Sequence, residues 1–107
     1  MENQNIVALI TTPSKDIAVQ IARTLLQEKL AACINIIPSI TSYFTWEDSV
    51  HEESEALMLV KTRSDLFADR LIPAVMALHP YDIPEIIALP ITSGLDSYIN
   101  WINQVIR

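Results

Sequence analysis

Two β-rich runs, Cys33 to Trp46 and Val50 to Thr62, follow each other with only Glu47-Asp48-Ser49 as turn-like punctuation, and their length constrains the fold more than any other feature. Both are rich in β-branched and aromatic residues, which predicts a hairpin. The first run numbers 14 residues. Extended at about 3.3 Å per residue it reaches about 46 Å, whereas a domain of this size has a radius of gyration of about 13 Å and so a diameter of about 34 Å. Such an arm overhangs its own domain. Pro38 is expected to bend or bulge it, yet the remainder still presents unpaired backbone and the aromatics Tyr43, Phe44 and Trp46 to water. The sequence therefore asks for association with further copies.

The flanking segments complete a simple order. Ile6-Val7-Ala8-Leu9-Ile10 is a short apolar run that suits a strand covered on both faces. Thr12-Pro13-Ser14 supplies a cap and an early proline for a helix whose stripe is Ile17, Ala18, Ile21, Ala22 and Leu25, continuing to Leu30. After the hairpin, Ser64-Asp65 caps a second helix with Phe67, Leu71, Val75 and Leu78 at helical spacing. Pro73 deletes one backbone donor there and is expected to kink it near Asp69. Glu85 to Leu89 reads as a fourth strand, and Leu95 to Ile106 as a terminal helix with Leu95, Tyr98, Ile99, Ile102 and Ile106 on one side. Strand, helix, strand, strand, helix, strand is the ferredoxin-like β-α-β-β-α-β order of an α+β sandwich, here with an extra C-terminal helix and a long β2-β3 hairpin.

At 107 residues with half of them apolar, the chain is read as one domain, residues 1–107. Seven Lys and Arg against 13 Asp and Glu leave a net charge of −6, the wrong sign for a nucleic-acid backbone or an anionic membrane surface, and neither partner is expected. No apolar run is long enough to cross a bilayer, and the start Met1-Glu2-Asn3-Gln4-Asn5 lacks the basic and apolar regions of a secretory signal. The single cysteine forms no internal disulfide, and the expected compartment is the cytoplasm. The single glycine, Gly94, excludes a phosphate-binding P-loop and a dinucleotide fingerprint, and no nucleophile stands at motif spacing from a base.

Chemistry concentrates in His79-Pro80-Tyr81-Asp82-Ile83-Pro84-Glu85. Each proline fixes its own φ and pushes the preceding residue toward extended geometry, so an imidazole, a phenol and two carboxylates sit on a stiff loop. The plainer reading is that Pro80 stops a helix and Pro84 opens a strand. Glu55 and Lys61 lie six apart on one strand and share a face. With Glu85 near Lys61 and Tyr81 above, they would form a polar pocket; alternatively they are a structural ion pair. Cys33, without a CxxC partner, is either a buried inert thiol or a soft ligand for Cu(I) or Zn if folding or assembly brings an imidazole of His79 or His51 to it. His51 with Glu52-Glu53 reads as a solvated hairpin face, and Tyr98, Trp101 and Trp46 as core or interface anchors.

Ala31-Ala32-Cys33-Ile34-Asn35, Pro38, Ser42-Tyr43, Trp46, Glu55, Lys61-Thr62, the His79-to-Glu85 segment, Tyr98 and Trp101 stand in the order and spacing of the CutA family, and the chain resembles that family over roughly residues 6 to 106. The family usually has Gly-Lys after Trp-Glu where this chain has Asp48-Ser49, and often a glycine at the place of Ser39. The resemblance implies a homotrimer whose long hairpins pair across subunits, and a role in tolerance of, or response to, divalent metal ions such as copper. Some members carry proposed copper ligands at the places held here by Ile10 and Leu78, which leaves His79 as the metal ligand the resemblance implies. The expected function is a trimeric, non-enzymatic module that binds a metal or small ligand at Lys61, Tyr81 and Glu85 and signals its presence. The alternatives are an enzyme using a His79/Glu85/Lys61 cleft for proton transfer, or a purely structural assembly protein.

Overall fold

The computed structural model describes residues 4–106. Strand β1 (Asn5–Thr12) leads into helix α1 (Lys15–Gln27), and the hairpin follows as β2 (Cys33–Trp46) and β3 (Ser49–Arg63). A broken helical segment comprises α2 (Ser64–Leu66), a π-helical turn (Phe67–Leu71) and α3 (Ile72–Met76), before β4 (Ile86–Pro90) and α4 (Asp96–Val105). The four strands form one antiparallel sheet in the order β2-β3-β1-β4, so the apolar β1 run lies between two neighbours.

Local chemistry accounts for the helix boundaries. The Ser14 hydroxyl accepts the Ile17 N–H and caps α1. At the other end Lys29 takes φ 58°, and the Leu30 N–H reaches back to the Leu25 carbonyl at 2.9 Å, closing the helix without a glycine. Pro73 does disturb its helix, by widening rather than kinking it. It has no N–H for the Asp69 carbonyl and its ring would crowd that oxygen, and the preceding turn opens so that the Ile72 N–H bonds Phe67, five residues back.

Alternation along the strands sorts the residues between two faces. Ala8, Ile10, Ala56, Met58 and Val60 point toward the first three helices and are closed by Ala18, Ile21, Leu25, Leu71 and Val75. The opposite face follows from the cross-strand partners: Val7 with Lys61 and Leu89, Leu9 with Leu59 and Ile87, Thr11 with Leu57. Among the described residues α4 covers one end of that face, the loop carrying His79 and Tyr81 covers Thr11 and Glu55 at the other, and the apolar middle stays open. Asn5 donates to Asn103 at 3.0 Å, Arg63 donates to the Ile106 carbonyl at 3.3 Å, and Ile102 and Ile106 are fully buried. The expected covering of β1 on both faces is therefore realised on one. Leu95, expected on the buried side of α4, precedes the helix and is exposed.

The hairpin overhangs as its length requires. The described chain measures 44 × 26 × 25 Å. The pairing slips between Ile37 and Ile40, which face Leu57 and Glu55, so one extra residue is accommodated around Pro38-Ser39. At the tip, Trp46 faces Ser49 across a two-residue turn in which Glu47 and Asp48 have φ 52° and 62°. A tight hairpin turn with both central residues left-handed matches strand twist and favours glycine, which explains why the family pattern has glycine where this chain has Asp48. Asp48→Gly is therefore expected to raise stability by about 1 kcal/mol in chemical denaturation. Unchanged or reduced stability would count against strain at the tip.

Candidate functional site

The segment around the two prolines is anchored by His79, the residue just before Pro80. Helix α3 ends at Met76, the His79 N–H bonds the Val75 carbonyl at 2.9 Å, and the imidazole turns inward to 7% exposure. Nε2 lies 2.8 Å from the Thr11 carbonyl, and Nδ1 accepts the Tyr81 N–H at 3.2 Å. A carbonyl only accepts and an amide only donates, so this ring is the neutral tautomer with its proton on Nε2. One side chain thus ties the loop to the end of the central strand.

The anchor positions the phenol. The Tyr81 ring sits 4.9 Å from the imidazole at a 52° tilt, and its hydroxyl donates to Glu55 Oε2 at 3.1 Å. Burial first, then the hydrogen bond to Glu55 and the charges of Glu55 and Glu53, push the Tyr81 pKa up to about 12. Between this loop and the overhanging arm runs an open groove of about 830 Å³, walled by the rings of Tyr43, Phe44, Trp46 and Tyr81 and by the carboxylates of Glu55 and Glu85. The stiff loop and the arm make this groove together.

The structure brings together His79, Tyr81 and Glu85 around Thr11 and Glu55, and it places Lys61 elsewhere. Lys61 pairs in register with Val7, whereas the loop meets β1 at Thr11, four residues or about 13 Å further along the strand. Its ammonium bonds the Asn35 side-chain carbonyl instead. Glu55 takes the expected face but meets Tyr81 rather than Lys61, and the walling of the groove by the arm aromatics has no counterpart in the expectations. The even spacing of Glu53, Glu55 and Leu57 was the available signal.

A copper centre within one chain does not fit these residues. Both nitrogens of His79 are committed to backbone groups, and Cys33 stands opposite Lys61 at the far end of the face, where it lies beside Tyr98. Burial, and then the bond with the Cys33 thiol, raise the Tyr98 pKa. Among the described residues no three His, Cys, Asp or Glu side chains are arranged to hold a metal ion. His51 lies at the hairpin tip, stacked on Phe44 at 5.5 Å.

A four-stranded antiparallel sheet backed by helices, with a projecting hairpin and a groove beneath it, defines an α+β fold, and comparison places it. The profile of the CutA1 divalent ion tolerance protein matches residues 6–105, and the chain belongs to this family. The divalent-cation tolerance protein CutA of Thermus thermophilus is 48% identical over 92% of this chain and 94% of its own length. The chloroplastic CutA of Arabidopsis thaliana is 45% identical over 96% of this chain, which spans only 56% of that protein. The structure called the periplasmic divalent cation tolerance protein CutA of Archaeoglobus fulgidus superposes with a TM-score of 0.92 at 42% identity, covering 96% of this chain and 99% of that one. Relatives named for a chloroplast and a periplasm leave the compartment open, and among the described residues no helix is long and apolar enough to cross a membrane.

Because the folded pKa of Tyr81 lies above its unfolded value near 10, the native state holds the phenolic proton more tightly. The resulting stability is complete below about pH 10 and is lost as pH rises toward about 12. Alkaline titration of phenolate absorbance should show a last-titrating tyrosine that Tyr81→Phe removes and Glu55→Gln shifts downward. A titration unaffected by Glu55→Gln would mean that the Glu55 bond contributes nothing to the shift.

Proposed function

We propose that the chain is the protomer of a ferredoxin-like homotrimer that serves divalent-cation tolerance as a ligand-binding and signalling module rather than as an enzyme. The uncovered sheet face carries this reading. Val7, Leu9, Leu57 and Leu59 are only part-buried, Ile37, Ile87 and Leu89 are exposed, and Tyr98 and Trp101 stand at the margin with their rings 5.7 Å apart. A contiguous apolar surface of this kind, next to an arm with exposed aromatics, favours self-association, and a closed ring covers every copy alike. Three is the number that the family resemblance implies.

The ligand site of this module is the groove at Tyr81, Glu55 and Glu85, held in shape before any ligand arrives by Pro80, Pro84 and the His79 anchor. A binding role suits it better than proton transfer, because His79 has no free nitrogen and Tyr81 stays protonated at neutral pH. Copper then binds weakly and at surface sites, and the tolerance role runs through the groove's ligand and a cytoplasmic partner that reads it.

Sedimentation equilibrium is expected to give a trimer at micromolar concentration, with Trp46→Ala loosening it at least tenfold if the ring fills an intersubunit pocket. A stable folded monomer overturns the assembly. Calorimetry with Cu(II) or Zn(II) should show only low affinity. A stoichiometric submicromolar site abolished by His79→Ala would restore the histidine as a ligand.

A further inference from the structure

We propose that Glu55 of one copy and Lys61 of a second copy form an ion pair across the assembly, so that the groove holding Tyr81 is completed by a neighbouring protomer. This rests on the self-association argued above and adds its direction and contacts. The first observation is a buried charge without a counter-charge. Glu55 is only 7% exposed, and among the described residues its one side-chain hydrogen bond is from the neutral Tyr81 hydroxyl. Among the described residues the only ion pair is Arg63 with Asp65, and the charged groups that share the groove with Glu55, namely Glu53, Asp82 and Glu85, are all of its own sign. A carboxylate removed from water in such company is unfavourable unless a cation reaches it.

The second observation is a cation on the same face without an anion. Among the described residues the Lys61 ammonium bonds only the neutral Asn35 carboxamide, and its cross-strand neighbours are Cys33 and Val7. Lys61 cannot reach Glu55 of its own chain, because six residues of extended strand hold the two about 20 Å apart. Between them lie Leu57 and Leu59 beside Leu9.

The open face is therefore negative at one end, apolar in the middle and positive at the other. A second copy shifted along it brings unlike ends together while burying the apolar centre, and in a ring each protomer gives its glutamate to one neighbour and its lysine to the other. Elimination singles out Lys61. Lys15, Arg23, Lys29 and Arg70 lie on or beside α1 and the π turn, whose elements pack on the opposite face, and Arg63 is already held by Asp65. Among the described residues Lys61 is the remaining cation on this face.

Charge reversal with sedimentation velocity tests the pair. Lys61→Glu and Glu55→Lys should each weaken assembly at least tenfold, and the doubly reversed E55K/K61E chain should recover most of that loss. Because Glu55→Lys places a new charge in a buried site, circular dichroism checks its fold, and the shape-preserving Glu55→Gln and Lys61→Met provide a second route. Combined, these two should weaken assembly little more than either alone. A trimer undiminished by Lys61→Glu, or losses from Glu55→Gln and Lys61→Met that simply multiply, overturns the ion pair while leaving the assembly standing. A wild-type chain that is itself monomeric overturns both.

Discussion

The antiparallel pairing of β1 with β3 underlies everything else in this chain. Eight consecutive partners, from Asn5 with Arg63 to Thr12 with Ala56, fix which residues face the helices and which do not. A slip of one residue would exchange Ala8, Ile10, Met58 and Val60 for Val7, Leu9, Leu57 and Leu59. It would also carry the Thr11 carbonyl away from His79 and separate Glu55 from the groove. Core and site thus depend on the same register.

The loop that bears the site is held by few contacts, each of which restricts its neighbour. The Thr11 carbonyl fixes the imidazole, the imidazole fixes the Tyr81 amide, and the Tyr81 ring then directs its hydroxyl to Glu55. Pro80 and Pro84 remove alternatives that the intervening backbone would otherwise sample. A histidine in this place resembles a ligand in sequence and acts as a brace in the fold.

Much of the architecture was legible because it depends on local signals. Ser14 and the stripe from Ile17 to Leu25 define α1, and the spacing of the β-rich runs defines the arm and its overhang. Pro73 announced a disturbed helix, although its resolution into a π turn depends on packing that spacing does not encode. The site was legible in part. Parity along a strand tells which face a residue takes, so Glu55 and Lys61 were correctly placed together on one face. It does not tell how far along that face a loop from another element will land. That height comes from the β1–β4 register, in which Ile86 meets Ile10, and it put Glu85 near Thr11 and away from Lys61. The position of α4 across the second face is likewise a long-range choice, made by Asn103 with Asn5 and by Arg63 with the helix end.

The left-handed residues Lys29, Glu47 and Asp48 bear on the unfolded chain as much as on the folded one. With a single glycine and six prolines, the disordered ensemble has few permissive joints and several locked ones. Each glycine withheld from a left-handed position leaves strain in the native turn but denies the unfolded chain a wide range of backbone conformations. Order is thus favoured partly by impoverishing its competitor. For a domain of this size, whose stability is a small remainder of large opposing terms, entropy missing from the disordered state counts as fully as any contact in the core.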